Sequence, residues 1–534
     1  GPDSVPTLPA SVGSAVLGVS IDSSQMSARP RHVQPRGSQP TSSPKGTGFA
    51  PNAKKQTALP TYQCSHYYNQ HRGTIPEAYN HTTAPTFLCG YLPDQLRSGY
   101  DLNKQITAGN DGSGQTVAIV DAYASPTIKK DTNSYMMTVG SPILTPSTFS
   151  QIKPKTFVDQ KACGYASGWQ TEETLDVQSA HSIAPGAHVL YVGGFNCGGG
   201  LDIAKSKILD NGLANIVSNS YGYLGENLPL SLIVGENNLF VQAAGEGIGM
   251  YFSSGDSGDE TINLGYKSPD FPATSPFVTA VGGTSLALGA NGSRQFATGW
   301  GGILDKIVLK NNKLAYASPL PGNLYGGGAG GGTSTHFAQP VYQKGVVPAS
   351  LANSADGTPA RVVPDIAALA DPYTGFQIAF TPIITGSCNS PNDCPTNGKL
   401  GYVTYGGTSL ASPITAAQLS IVQQAAKRTV GFANPALYDA AKAKANVFYD
   451  VLSHPGTALA YTSAHSGNDY LVTLDHDSSL RTAPGYDNVT GLGVVEVQRV
   501  VSLLAKSGNG NGNGNGNGNG QGRTVVRHGP AGRR

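Results

Sequence analysis

The stretch Gln115-Thr-Val-Ala-Ile-Val-Asp121 follows a glycine turn, Gly112-Ser-Gly114. Its apolar residues run without alternation, the pattern of a strand covered on both faces, as parallel sheets require. Similar short runs recur at 188–192 (His-Val-Leu-Tyr-Val), 216–218 (Ile-Val-Ser), 250–252 (Met-Tyr-Phe) and 277–281 (Phe-Val-Thr-Ala-Val). Between them lie stretches that read as helices, over residues 170–183 and 232–246, and residues 412–430 form a longer Ala-rich run. Strand alternating with helix predicts an α/β fold, a doubly wound and mainly parallel sheet with flanking helices.

Composition narrows the class. With 35 Lys+Arg against 33 Asp+Glu the formal net charge is +2, so electrostatics give no case for a nucleic-acid partner. Charged residues are 13% of the chain, about half the usual globular share. With 69 Gly and 36 Pro the chain is loop-rich, yet 39% apolar residues are enough to bury a core. No run approaches the ~20 apolar residues of a membrane span. Six cysteines suit an oxidising, extracellular compartment. Sequence-neighbour pairing is the economical expectation: Cys64 with Cys89, Cys163 with Cys197, Cys388 with Cys394. None is spaced as a zinc site. The chain begins Gly1-Pro2 with no signal-peptide core, so a secretory leader is expected to have been removed.

Three motifs bear chemistry. Tyr405-Gly-Gly-Thr-Ser-Leu-Ala-Ser-Pro413 places Ser409 on a glycine turn at a helix start, where free N–H groups can face an oxyanion. Pro413 is expected early in that helix, where a missing N–H costs little. The tripeptide recurs at Gly283-Thr-Ser285 without the following Ala-Ser-Pro, and Ser285 is read as structural. Glu172-Glu-Thr-Leu-Asp176 sets two carboxylates at i and i+4, one face of a helix. Such a pair shares protons and can serve as a base in place of histidine; a solvated acidic face is the plainer reading. Phe252-Ser-Ser-Gly-Asp-Ser-Gly258 puts Asp256 just past a buried strand, where α/β folds build their sites; a turn cap is the alternative.

Together these motifs resemble the sedolisin, or serine-carboxyl peptidase, family, whose catalytic domain is subtilisin-like. The resemblance implies Glu172 as the base, Asp176 as its partner, Asp256 as the oxyanion-hole acid and Ser409 as the nucleophile. Gly406 stands where the family usually has Ser. Further blocks in family order are residues 218–222 (Ser-Asn-Ser-Tyr-Gly), 271–276, 281–284, 361–365 and 370–375, so coverage runs from about Thr86 to Leu504. The resemblance also implies one structural Ca2+, held by Asp450, Val451, Ala483, Gly485 and Asp487, with residues 453–482 forming a longer and more polar loop than usual. Calcium takes about six to eight oxygen ligands, which two carboxylates, three carbonyls and water supply.

Family members are made as zymogens. Residues 1–32, with Leu8–Gly18 and Ala28-Arg-Pro30, look like the end of a propeptide that acts as inhibitor and chaperone. Residues 33–62 read as a linker and processing region, mobile over Pro35–Pro60. Residues 63–505 are then a single large peptidase domain, and 506–534 a Gly-Asn-rich tail with a basic end. The resemblance implies a secreted, acid-acting endopeptidase or tripeptidyl peptidase, monomeric, acting on proteins and peptides. Two other readings stand beside it: an Asp-His-Ser peptidase of the same fold using Asp121 and His181, and a catalytically silent secreted binding protein.

Overall fold

The computed structural model describes residues 27–44, 59–354 and 357–509. The Leu8–Gly18 stretch and the Gly-Asn tail beyond residue 509 lie outside the described residues. A ten-stranded sheet forms the centre. Its strands are β2 (Thr116–Ala122), β3 (Phe149–Ile152), β4 (His188–Gly194), β5 (Ile216–Asn219), β7 (Gly249–Ser253), β8 (Thr279–Leu288), β9 (Ile366–Leu369), β10 (Phe448–Tyr449) and β11 (Val494–Val495), with Arg294–Gly299 paired to β8. Two short strands outside it, β1 (Arg29–Pro30) and β6 (Tyr221–Gly222), pair with each other. The order is β10-β11-β9-β8-β7-β5-β2-β4-β3. From β11 to β3 every pairing is parallel.

Alternation along β2 shows why the sheet is covered twice. Val117 and Ile119 pack with Leu175, Val177 and Ile414 on one face. Ala118 and Val120 pack with Leu201 and Phe240 on the other. Successive side chains of a strand point to opposite faces, so a continuous apolar run needs helices on both sides. Those helices are α1 (Tyr165–Ile183), α2 (Gly199–Asp210), α3 (Leu230–Gly245) and α4 (Thr408–Ala426). The expected doubly wound architecture is the observed one.

Residues 169–183 of α1 and 408–423 of α4 are all buried. Neither helix keeps a wet face over those residues, so the carboxylates of α1 are core groups rather than a solvated acidic stripe. Residues 453–482, expected as a polar loop, instead contain the hairpin Ala458–Thr462 with Asp469–Thr473. It joins Gly301–Lys310 in a five-stranded antiparallel sheet, and every residue of both strands is buried.

All three cysteine pairs form as expected: Cys64–Cys89, Cys163–Cys197 and Cys388–Cys394. The expected linker is anchored in part. Val33 bridges Gly406, Thr41 bridges Tyr402, and Pro44 O accepts from Gln377 Nε2. Those contacts remove residues 33–44 from the mobile segment; residues 45–58 lie outside the described ones.

Candidate active site

The chemistry gathers at the C-terminal edge of the sheet around β2, β5 and β7, where the strand order reverses and such folds place their sites. Asp121 ends β2, Ser220 follows β5, and the Ser254–Gly258 loop follows β7. Helix α4 starts just beyond Gly407, whose φ of 103° lies in the region open to glycine. A Cβ there would lie 2.3 Å from Arg31 O and 2.9 Å from Asp256 Oδ2, so any side chain would fill the space between them. A Cβ on Gly406 would lie 2.1 Å from Ala370 O, so this chain's backbone packs too closely there for a side chain without a shift.

Ser409 is fully buried at the first turn of α4. Its N–H donates to Arg31 O at 2.9 Å, and its Oγ donates to Ser220 O at 3.2 Å. Pro413 sits inside the helix, not in its first turn as expected. Proline removes the bond that residue 413 would donate to the carbonyl four residues back, which is Ser409 O. That carbonyl instead accepts from Ser220 Oγ at 3.2 Å. Pro413 therefore frees an acceptor that ties the Ser409 backbone to the residue following β5.

Glu172 and Asp176 share one buried face of α1. Ser220 Oγ lies 2.9 Å from Asp176 Oδ1, and Glu172 Oε2 lies 2.6 Å from His32 Nδ1. Burial, then the neighbouring Asp121 and Glu172, pushes the Asp176 carboxyl well above its ordinary range. Burial, with Glu172 and Glu173 beside it, does the same to Asp121. Asp176 Oδ2, Glu172 Oε1 and both Asp121 oxygens find no hydrogen-bond partner among the described residues. Buried carboxyls this close cannot all be ionised and must share protons. Asp121 thus belongs to the carboxyl cluster, not to a histidine. Glu173 takes its hydrogen bonds from Ser125 N–H and Gln151 Nε2, and burial pushes it up to about 8.

Asp256 Oδ1 accepts from Thr408 N–H at 2.7 Å and lies 2.9 Å from Thr408 Oγ1. Burial raises its carboxyl to about 7 despite those bonds and the nearby Arg31. It therefore keeps its proton in acid and can donate. His181 is elsewhere: buried near the far end of α1, its Nε2 on Pro142 O at 2.9 Å, and burial lowers it to about 4. Nine residues of helix, about 13 Å, separate it from Glu172. The structure does not bring Asp121, His181 and Ser409 together.

Sequence reading missed Ser220, although the block containing it was noticed. Its O and Oγ meet Ser409 and Asp176, contacts that no local spacing reveals. It read Ala28-Arg-Pro30 as the end of a propeptide but did not place Ala28–Val33 across the cleft. Arg31 N–H donates to Ser220 O at 3.1 Å, and Val33 and Gly406 exchange bonds of 3.0 and 2.7 Å. Burial alone would lower the His32 imidazole, but the Glu172 carboxyl beside it holds it above its ordinary value.

The residues expected to hold calcium also come together. Gly485 N–H donates to Asp450 Oδ1 at 3.0 Å, and Ala483 N–H to Asp487 Oδ2 at 3.2 Å. The carbonyls of Val451, Ala483 and Gly485 accept no hydrogen bond from the described residues. Two carboxylates with three unengaged carbonyls in one loop cluster are the hard-oxygen donor set that calcium prefers. Among the described residues no group of three His, Cys, Asp or Glu side chains could hold a metal, and this set uses only two.

A profile of the Peptidase_S8 Subtilase family matches residues 160–455. Kumamolisin of Bacillus sp. (strain MN-32) is 28% identical over 409 residues, 76% of this chain and 61% of that protein. Sedolisin of Pseudomonas sp. (strain 101) is 28% identical over 352 residues, 64% of this chain and 50% of that protein. Tripeptidyl-peptidase sed1 of Aspergillus fumigatus is 28% identical over 326 residues, 54% of this chain and 40% of that protein. The chain thus spans less than two thirds of the length of these relatives. The solved Pseudomonas sedolisin, complexed with two molecules of pseudo-iodotyrostatin, shares the fold at a TM-score of 0.55 and 23% identity, over 78% of this chain and 99% of that one. With the family profile spanning more than half of the chain and these relatives beside it, the chain belongs to the subtilase family, and within it to the sedolisins, with their subtilisin-like fold.

Proposed function

We propose that this chain is a secreted serine-carboxyl peptidase, made as a zymogen, that hydrolyses peptide bonds in proteins at acidic pH as an endopeptidase or tripeptidyl peptidase. The observation that carries the reading is the Ser409 N–H seated on the Arg31 carbonyl, with the Asp256 carboxyl on the Thr408 N–H of the same turn and Glu172 against the adjoining His32. Ser409 Oγ attacks the scissile carbonyl, and Glu172 takes its proton and returns it to the leaving amine. Asp176, held by Ser220, positions and buffers Glu172. The Ser409 N–H and protonated Asp256 stabilise the oxyanion. Water then releases the acyl group by the same steps in reverse. The Ser409 hydroxyl rests on Ser220 O, not on Glu172, and such catalytic bonds often tighten only when substrate reacts.

Three disulfides and the lack of any described helix able to cross a membrane support an extracellular location. The cleft-crossing Ala28–Val33 segment supports a zymogen whose own propeptide inhibits it.

Ser409→Ala tests the reading. The variant should keep its fold by circular dichroism and lose digestion of a denatured protein substrate at acid pH by at least about a thousandfold. Retained digestion sinks the nucleophile assignment.

A calcium ion fits Asp450 and Asp487 with the Val451, Ala483 and Gly485 carbonyls, and would supply charge that cross-links the loops of residues 450–451 and 483–487. It would stabilise the native state by mass action, about 3 kcal/mol at a hundredfold excess over Kd. Chelator is expected to lower the Tm by roughly 3 °C, and Asp450→Ala to abolish that response. A Tm indifferent to chelator in the wild-type chain would remove the site.

A further inference from the structure

Residues 474–482, the end of the stretch that is longer than usual in the family, close against the loop that carries Asp256. Asp475 anchors them: its Oδ2 accepts from His454 N–H at 3.0 Å and its Oδ1 from Thr482 Oγ1 at 2.9 Å. Between those anchors Ser478 Oγ accepts from Asp259 N–H at 3.0 Å, and Ser479 Oγ donates to Asp259 Oδ2. Asp477 is 4% exposed, and its Oδ1 accepts from the Tyr325 hydroxyl at 2.8 Å. Two glycine backbones press on that oxygen. A Cβ on Gly258 or on Gly328 would lie 2.3 Å from it. Ser478 at φ 36° and Glu260 at φ 60° are left-handed without being glycine, a conformation that persists only where its surroundings over-determine it.

Gly258 and Gly328 are the joint through which this contact reaches the site. Gly258 N–H donates to Gly328 O and Gly328 N–H to Asp256 O, each at 3.1 Å, while Gly330 N–H donates to Gly255 O at 2.8 Å. The strand Leu324–Gly328, which carries Tyr325, thus fixes the backbone of Asp256. Thr408 fixes its carboxyl, through the N–H and Oγ1 already described. A catalytic group held at both points has little room to drift, and a displacement of about 1 Å can cost a hundredfold in rate.

We propose that Asp477, with Tyr325, is a positioning residue for the oxyanion acid: it locks the Gly258–Gly328 joint and so holds Asp256 where it can donate to the developing oxyanion. This rests on the peptidase reading above. Asp477 moves no proton in the reaction; its effect passes through the Asp256 loop. Its loss should therefore fall on kcat rather than KM, because the oxyanion forms only in the transition state. That loss should also vanish once residue 256 has no carboxyl left to position. Asparagine at 477 keeps the acceptor for Tyr325 and matches the neutral acid, since burial pushes the Asp477 carboxyl well above its ordinary range.

The test is a double-mutant cycle on the full-length chain, preincubated in acid and assayed with one fluorogenic peptide. Asp477→Ala is expected to lower kcat by at least about tenfold with KM within about twofold. Asp477→Asn should keep kcat within about threefold of wild type, with Tyr325→Phe between the two. In an Asp256→Ala background the cost of Asp477→Ala should shrink to less than about twofold. An equal cost in both backgrounds overturns the positioning role and leaves the peptidase reading standing, because a purely structural residue costs the same whatever occupies 256. A raised KM with kcat unchanged overturns it as well. No turnover by the wild-type chain overturns both. Should Asp477→Ala fail to fold by circular dichroism, Tyr325→Phe takes its place in the cycle and the same outcomes decide.

Discussion

Glu172→Gln is expected to lower kcat by about a hundredfold to ten-thousandfold, while His181→Ala keeps turnover within a few-fold of wild type. The glutamine is isosteric with the glutamate and keeps the side chain's shape on α1, but its amide cannot take the Ser409 proton. His181 cannot substitute for it. It is buried against Pro142 O, about 13 Å along the helix from Glu172, and its lowered value of about 4 leaves it neutral without giving it a reacting partner. Removing the imidazole opens a cavity in the core, so some loss of Tm accompanies the retained rate. Initial rates on one peptide, with both variants at matched folded concentration, check the pair. A dead His181→Ala beside a live Glu172→Gln would hand the site to an Asp-His-Ser reading.

The second large effect concerns pH. Asp256 must be protonated to donate to the oxyanion, and burial raises its carboxyl to about 7. Below that value the proton is present; above it the ionised group repels the developing negative charge. Activity should therefore fall as pH rises through about 7, whatever the substrate. On the acid side the limit comes from the buried carboxyls around Asp121 and Asp176, among which one carboxylate must stay free to accept a proton. The profile is expected to be bell-shaped and centred below pH ~6. Asp256→Asn removes only the alkaline limb, because the amide can keep accepting from Thr408 N–H while its NH2 donates at every pH. Asp256→Ala should cost about a hundredfold to a thousandfold, the usual worth of one oxyanion donor. An Asp256→Asn profile that still collapses near pH ~7 would assign that limb to another group.

Much of this was legible in the chain because it is written locally. The run 115–121 is apolar on both faces and appears as β2; the i, i+4 spacing of Glu172 and Asp176 puts them on one face of α1. The Gly-Gly-Thr-Ser turn gave the position of Ser409, since a positive φ at Gly407 and a helix start are local demands. What the sequence concealed depends on distant partners. Ser220 matters because β5 ends beside both α1 and α4, and Asp477 matters because it meets Gly258 from far along the chain. Neither pairing has a period or a spacing to read.

Pro413 shows the same limit on a smaller scale. Read as an early-helix proline it seemed incidental, yet its missing N–H leaves Ser409 O for Ser220. The hairpin of residues 458–473 was hidden by the polar residues around it. Its alternating Leu459 and Tyr461, facing Tyr470 and Val472, become a strand signal only once Gly301–Lys310 supplies the neighbouring edge.

The central claim, that Ser409 is a nucleophile activated by carboxylates, is tested most directly by covalent labelling. The processed chain is incubated with a peptidyl fluorophosphonate in acid and mapped by mass spectrometry. The expected result is one adduct, on Ser409, formed at a rate that follows the acid pH profile of turnover and is strongly slowed in Glu172→Gln. Labelling of Ser285 or another serine, or labelling of Ser409 at the same rate in Glu172→Gln, would contradict it.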